Sequence, residues 1–221
     1  MEALKRIDLT LYLVTDSEGK TEEKFLETVR QACEGGVTIL QLREKDKSGS
    51  AYCDLAKKVK EITDNYNIPL IIDDRVDVAM AVDAAGVHVG QNDIPVHIAR
   101  RLLGTDKIVG ATTKTVSQAL KAKKEGADYL GVGAIFPTTT KVITVITEVS
   151  TLNDIAAAVS TSVKIPIVAI GGLNSENLHV LYDSSAAGAA VVSAIMKSSD
   201  PKETAKALKR QILENFKNFR I

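Results

Sequence analysis

The chain lacks an excess of either charge: Lys and Arg total 28, as do Asp and Glu. That argues against a nucleic-acid protein, whose domains carry a basic surplus. Any anion must therefore be bound by locally clustered cations. An apolar run of the ~18 residues that a membrane span requires is also missing. The N-terminus, MEALKRIDLTLYLVT, has no apolar stretch of signal-peptide length before its first polar break, so a cytosolic location is expected. Two cysteines, Cys33 and Cys53, are too few for a disulfide framework and fall in predicted helices, where buried, reduced thiols are expected. The three histidines, His88, His97 and His179, are scattered, and no Cys/His spacing suits zinc. Neither a dinucleotide fingerprint nor a Walker A sequence occurs. Nothing matches a nucleophile elbow or a Ser-His-Asp arrangement.

What the 221 residues do contain is an ordinary globular mixture, 45% apolar and 25% charged, enough for the core of one large domain. Short β-branched runs alternate with longer amphipathic segments. The runs predict strands at Leu11–Thr15, Thr38–Arg43, Leu70–Asp73, Val87–Val89, Ile108–Thr112, Tyr129–Gly133, Ile167–Ile170 and Ala190–Ser193. The amphipathic segments predict helices at Glu22–Glu34, Ser50–Asn65, Val76–Ala84, Pro95–Leu103, Val116–Glu125, Leu152–Ser160, Glu176–Tyr182 and Pro201–Lys217. Thr115 or Ser117, Asn174 and Asp200 are candidate N-caps, and Pro201 suits a first turn. Gly35-Gly36, Gly86, Gly126 and Gly188 stand between a helix and the next strand, where a glycine C-cap belongs. Val142–Thr151 is β-prone but follows a threonine cluster, and reads as a loop into the sixth helix.

Strands without polar alternation, each followed by a helix, imply a parallel sheet covered on both faces, either a closed barrel or an open doubly wound sheet. Internal repeats choose between them. Ile68-Pro-Leu-Ile-Ile72 recurs as Ile165-Pro-Ile-Val-Ala169, Glu34-Gly-Gly36 as Glu125-Gly-Ala127, and Ala84-Ala-Gly86 as Ala186-Ala-Gly188. Each displacement is a little under half the chain and pairs strands two to four with strands six to eight. Two half-barrels explain this and an open sheet does not. The expected fold is α/β, a single (β/α)8 TIM barrel over residues 1–221.

In such barrels the loops at the C-terminal ends of the strands form the active site. The stretch Gly131–Lys141, an apolar strand that runs through Pro137 into Thr138-Thr139-Thr140-Lys141, offers backbone, hydroxyls and a cation to an anion. Gly171-Gly172 and Ser193 follow strands seven and eight, where barrels bind phosphate through backbone N–H groups. Glycine is expected there because a Cβ would hold the phosphate off the backbone. Arg43, Lys45 and Lys141 with Asp74 and Asp93 suggest Mg²⁺ and a diphosphate: the acids hold the metal, and the cations share the phosphate charge. His88, in Gly-Val-His-Val-Gly, reads as a hydrogen-bonded barrel residue. Anion cradles and a metal without an evident nucleophile suit ionisation of a diphosphate ester.

Together these residues resemble the thiamine-phosphate synthase (thiamine-phosphate pyrophosphorylase) family. The segments that carry the resemblance are Gln41-Leu-Arg43-Glu-Lys45, Asp74-Arg75-Val-Asp77, Gly86-Val-His88-Val-Gly90-Gln91-x-Asp93, Gly131-Val-Gly133-x-Ile-Phe136-Pro137-Thr138-x-Thr140-Lys141 and Ala169-Ile-Gly171-Gly172. The resemblance spans Leu11 to Ser193 and implies a (β/α)8 barrel. Its reaction would join a hydroxymethylpyrimidine diphosphate to a hydroxyethylthiazole phosphate, giving thiamine phosphate and pyrophosphate through a pyrimidine cation. It implies that Gln41, Arg43 and Lys45 hold the pyrimidine diphosphate, that Asp74 and Asp93 ligate Mg²⁺, and that Lys141 contacts the leaving pyrophosphate. Thr138, Thr140, Gly172, Val192 and Ser193 would hold the thiazole phosphate. Arg43, Lys141 and Thr112 are the expected catalytic residues. Expected partners are small phosphate and diphosphate substrates, with no nucleic acid and no membrane; a homo-oligomer is compatible with this.

Two positions depart from the family pattern. Asp73 stands where an asparagine is usual, placing an extra carboxylate beside a diphosphate; that is unfavourable unless the metal offsets it or Asp73 is protonated. In Gly110-Ala-Thr112-Thr-Lys114 the hydroxyl is retained, but Lys114 replaces a histidine. Two alternatives stay open: a thiazole phosphate tautomerase of the same superfamily, whose acid/base histidine Lys114 would displace, and a non-catalytic phosphate-ligand sensor.

Overall fold

Four-residue apolar runs such as Leu11–Val14 and Ile39–Leu42 are buried at every position, on both faces. Strands of that kind fit only a sheet with side chains packed inside and helices outside. The computed structural model describes residues 7–138, 146–160 and 164–217. Its strands are β1 (Leu11–Val14), β2 (Ile39–Leu42), β3 (Leu70–Asp73), β4 (Gly86–Val89), β5 (Ile108–Thr113), β6 (Tyr129–Gly133), β7 (Ile167–Ile170) and β8 (Gly188–Val191). Each pairs in parallel with the next, and β8 returns to β1 with Leu11 opposite Ala189, so the sheet is a closed barrel.

Around it lie α1 (Glu22–Glu34), α2 (Gly49–Asn65), α3 (Val76–Ala81), α4 (Val96–Leu103), α5 (Val116–Lys124), α6 (Val149–Val159), α7 (Ser193–Met196) and α8 (Pro201–Asn215). Their caps follow local chemistry. Thr21, Ser48, Thr115 and Asp200 each accept a hydrogen bond from a first-turn N–H, and Pro201 opens α8. Of the two candidates before α5, Thr115 is the cap. Each helix buries one stripe, as with Phe25, Val29, Ala32 and Cys33 of α1.

The structure corrects several expected boundaries. Gly86 and Gly188 are not helix caps but the first residues of β4 and β8. A Cβ there would stand 2.0 Å from Ile108 O and 1.8 Å from Leu9 O, so glycine admits the neighbouring strand. Gly36 and Gly126, with φ of +98° and +95°, do follow helices in the left-handed region. The eighth strand begins two residues earlier than expected and ends before Val192, while Ser193 opens the unanticipated α7. The seventh helix shrinks to a 3₁₀ turn, Leu178–Leu181. Asn177 Oδ1 accepts from Asn174 N and Asn174 Oδ1 from Glu176 N, both at 2.9 Å, and such side-chain bonds compete with helix formation. The sixth helix starts at Val149, three residues before the expected Leu152. Of the predicted loop before it, Val142–Val145 lie outside the described residues.

Within the barrel, alternate residues point inward. Tyr12, Val14, Ile39, Ile71, Ile108, Tyr129, Val168 and Ala190 form an interior cluster separate from the larger core between strands and helices. The interior is thus packed up to the C-terminal ends of the strands, and any cavity must open above it.

Candidate active site

At that end the barrel opens into a cavity of about 340 Å³ lined from every strand. The structure brings the sequence-selected residues together there. Gln41, Arg43, Lys45, Asp73, Asp74, Asp93, Thr112, Thr138, Gly172, Val192 and Ser193 all line it, as do His88 and Lys114. Thr140 and Lys141 lie outside the described residues.

The end of β2 supplies the cations. Arg43 N donates to Thr15 Oγ1 at 3.1 Å and Ser17 Oγ donates to Glu44 Oε2 at 2.9 Å, so the loop after β1 clasps the loop that carries Arg43 and Lys45. Burial raises the Glu44 carboxyl above its ordinary range, opposed by the Ser17 bond and the Lys47 charge. Its Oε1 is buried without a hydrogen-bond partner.

The ends of β3 and β4 supply the acids. Asp74 adopts φ +60°, a region that aspartate tolerates better than most residues, and Asp74 N donates to His88 O at 2.8 Å. Lys45 Nζ lies 2.6 Å from Asp73 Oδ2 and also pairs with Asp74; Arg43 Nε stands 3.9 Å from Asp73. Burial and the Asp74 charge push the Asp73 carboxyl up, against the opposing pull of Lys45 and Arg43. At Asp74 burial also acts upward, but hydrogen bonds from Lys45 and Asp93 outweigh it and hold the carboxyl low. Asp93 is raised by burial and by its bond to Asp74. Asp93 Oδ2 accepts from Gly90 N at 2.8 Å, which ties the loop after β4 in place. Lys45 and Arg43 thus counter the extra carboxylate at Asp73 only in part, and its pKa stays raised.

Among the described residues, no group of three or more His, Cys, Asp or Glu side chains is arranged to hold a metal. Two carboxylates, Asp74 and Asp93, meet closely enough to share a hydrogen bond. That donor set fits Mg²⁺, which is usually held by one or two carboxylates together with substrate phosphates.

Below the acids lies a polar ladder that sequence reasoning found only in part. Gln41 Nε2 donates to Tyr12 Oη at 2.9 Å, Tyr12 and Tyr129 hydroxyls are 2.7 Å apart, and His88 Nδ1 is 3.0 Å from Tyr129 Oη. His88 Nε2 is 2.9 Å from Thr112 Oγ1. His88 is the hydrogen-bonded barrel residue expected, whereas Tyr12 and Tyr129 were overlooked. The available signal was a tyrosine inside an otherwise apolar strand, since a buried phenol needs a partner.

The opposite wall holds the glycine turn after β7. Gly171 and Gly172 have φ of +108° and +63°, and a Cβ on Gly172 would stand 2.6 Å from Pro137 O and 2.7 Å from Phe136 Cβ. Glycine is therefore required by the loop after β6 pressing on this turn. Asn177 Nδ2 donates to Gly172 O at 2.8 Å and fixes the turn from behind. Val192 and Ser193 stand beside it at the start of α7, where barrels commonly add a short helix at a phosphate site.

The sequence matches the thiamine monophosphate synthase family over residues 11–195, from β1 through β8 and into α7. The chain belongs to this family. It is 52% identical over 209 residues to thiamine-phosphate synthase 2 of Streptococcus pneumoniae, covering 95% of this chain and 98% of that protein. It is 49% identical over 207 residues to the thiamine-phosphate synthase of Clostridium tetani, covering 92% and 96%. Among solved structures, thiamine phosphate pyrophosphorylase from Pyrococcus furiosus superposes with a TM-score of 0.83 at 38% identity, covering 95% of this chain and 98% of that one.

Not every residue of the family motifs faces the cavity. Arg75 Nε donates to Asp77 Oδ1 at 2.8 Å on the surface, so that pair of the Asp74-Arg75-Val-Asp77 segment is a local clasp at the start of α3. Lys114 lines the cavity, and its backbone N–H donates to Gln118 Oε1 at 2.8 Å. No helix among the described residues is long and apolar enough to cross a membrane.

Proposed function

We propose that this chain, a transferase of the thiamine monophosphate synthase family, joins hydroxymethylpyrimidine diphosphate to hydroxyethylthiazole phosphate in the cytosol. The products are thiamine phosphate and pyrophosphate. The observation that carries the reading is Lys45 set between Asp73 and Asp74, with Asp93 against Asp74, in a cavity that also holds a glycine turn after β7. A cation–carboxylate cluster on one wall and a backbone turn on the other suit two different phosphorylated substrates.

Arg43 and Lys45 hold the diphosphate, the guanidinium as a fork and the ammonium as a point charge. When substrate arrives, Lys45 exchanges part of its pairing with Asp73 and Asp74 for phosphate oxygens, so the cluster stays compensated. Asp74 and Asp93 hold Mg²⁺, which supplies neutralising charge at the leaving diphosphate. Gln41 orients the pyrimidine from the buried end of β2. Lys141 is assigned to the departing pyrophosphate, and Thr138, Thr140, Gly172, Val192 and Ser193 to the thiazole phosphate. Charge that leaves with the pyrophosphate is met by donors fixed before the step, which is where such sites gain most of their rate. The sensor reading and the tautomerase reading give no role to the paired carboxylates of β3 and β4.

The division into two walls is tested by Arg43→Ala. Binding of the pyrimidine diphosphate should weaken by at least tenfold, about the ~1.4 kcal/mol of one charge-assisted hydrogen bond, with thiazole phosphate affinity unchanged. Equal weakening of both would sink the assignment.

A further inference from the structure

The hydrogen-bond ladder under the cavity fixes the direction of its own protons. Gln41 Nε2 has only hydrogens to offer, so the Tyr12 oxygen accepts from it. Tyr12 is 1% exposed, and its remaining hydrogen-bond partner among the described residues is Tyr129 Oη, which must therefore take its proton. The Tyr129 oxygen is thereby committed as acceptor, and its own proton goes to His88 Nδ1. His88 Nδ1 is then the acceptor, and Nε2, which carries the ring proton, donates to Thr112 Oγ1. The Thr112 hydroxyl proton is left to point into the cavity. With the Gln41 amide nitrogen toward Tyr12, the opposite polarity fails at the first step: if Tyr129 donated to Tyr12, the Tyr12 oxygen would accept twice and its proton would have no partner among the described residues.

We infer that Tyr129 is a positioning residue that holds Thr112 as a hydrogen-bond donor toward an anionic oxygen of the substrate diphosphate, through His88. The inference rests on the proposed synthase reading for what Thr112 serves, but the proton order itself does not. The interior is shaped for this ladder. A Cβ on Gly110 would stand 2.2 Å from Tyr129 Cζ, and one on Gly131 would stand 3.2 Å from His88 Cε1, so two glycines make room for the two rings. The phenol of Tyr129 on β6 links Tyr12 on β1 to His88 on β4. A Thr112 hydroxyl free to rotate would spend part of its time offering a lone pair, which repels an anion. Fixing it removes that reorganisation at the moment of bond breaking.

Tyr129→Phe removes one hydroxyl and keeps the ring that packs edge-on against Tyr12. We expect kcat to fall roughly tenfold, the cost of one buried hydrogen bond, with KM for the thiazole phosphate unchanged. Thr112→Val should lower kcat by more, and adding Tyr129→Phe to it should cause no further loss, because both act through one hydroxyl. Losses that multiply in the double variant would overturn the inference, as would a kcat unaffected by Tyr129→Phe. A direct readout uses the wild-type protein labelled with ¹⁵N-histidine, with the exposed His97 and His179 identified through His97→Gln and His179→Gln. His88 should show an unprotonated Nδ1 and a protonated Nε2 at neutral pH. A proton on Nδ1 would overturn the inference even if no Tyr129 variant folds. If instead the tautomer is as expected and the wild-type enzyme forms no thiamine phosphate, the functional reading fails and the proton order stands.

Discussion

Gly110→Ala adds one methyl group to the barrel interior, and its cost can be worked from the contacts. The new carbon would stand 2.2 Å from Tyr129 Cζ, 2.4 Å from Oη and 2.5 Å from Cε1. Carbon atoms pack best at roughly 3.5–4.0 Å, so the ring or the strand must yield by more than an ångström. Tyr129 is fully buried, and its hydroxyl is held at 2.7 Å by Tyr12 and near 3.0 Å by His88. Overpacking of this kind costs about 1–3 kcal/mol, and weakening two buried hydrogen bonds adds about 1 kcal/mol each. The sum, about 3–5 kcal/mol, lowers Tm by ~6–20 °C for a domain of this size. Thermal unfolding followed by circular dichroism measures it. Shortening the ring by Tyr129→Leu should restore space, so the double variant should be more stable than the two single losses predict by at least ~1 kcal/mol. A Gly110→Ala protein that melts within about 2 °C of wild type would refute the packing argument and, with it, the fixed placement of the Tyr129 hydroxyl.

Asp93→Ala should lower turnover by at least ~100-fold with little change in Tm, read from pyrophosphate release and calorimetry; a large loss of stability would make Asp93 structural. Burial and Asp74 raise the Asp73 carboxyl, so the folded state binds this proton more tightly than the unfolded chain does. The ionised group then costs stability above its folded pKa, and that cost disappears as pH falls through the carboxylate range. Asp73→Asn should thus be at least as stable as wild type at pH 7, with the difference shrinking in acid, and it should raise activity; denaturant unfolding across pH checks the sign. Burial pushes the Cys33 thiol up to about 12, so alkylation of native protein at pH 8 should spare Cys33 and modify it only after unfolding, as peptide mapping would report.

The barrel was legible because its strands are apolar throughout and because strands two to four echo strands six to eight. Periodicity and repeat suffice for topology, since a parallel strand buried on both faces leaves few other arrangements. Boundaries failed where small residues dominate. Ala186-Ala-Gly-Ala-Ala190 carries no propensity signal for where β8 begins, and its start is set by Leu9 O pressing against Gly188. Asn174 and Asn177 melted a predicted helix by bonding to local backbone, a competition that amphipathic patterning does not register.

The polar residues at the strand ends were legible for a different reason: in this fold their position alone brings them to one cavity. Arg43, Asp74, Asp93 and Thr112 needed only the strand ends to be placed within a residue or two. Tyr12 and Tyr129 were not found because their role is pairwise and spans 117 residues of sequence. Nothing in either strand alone announces the partner. The role of Lys45 as a bridge between Asp73 and Asp74 was hidden in the same way, since the ends of β2 and β3 had to converge before the extra carboxylate met a counter-charge.

The central claim is that the two walls of one cavity join two phosphorylated substrates. Purified protein mixed with hydroxymethylpyrimidine diphosphate, hydroxyethylthiazole phosphate and Mg²⁺ tests it most directly. Stoichiometric formation of thiamine phosphate and pyrophosphate, lost on chelation of the metal, is the predicted result. Binding of both substrates with no pyrophosphate released, or isomerisation of the thiazole phosphate alone, would contradict it.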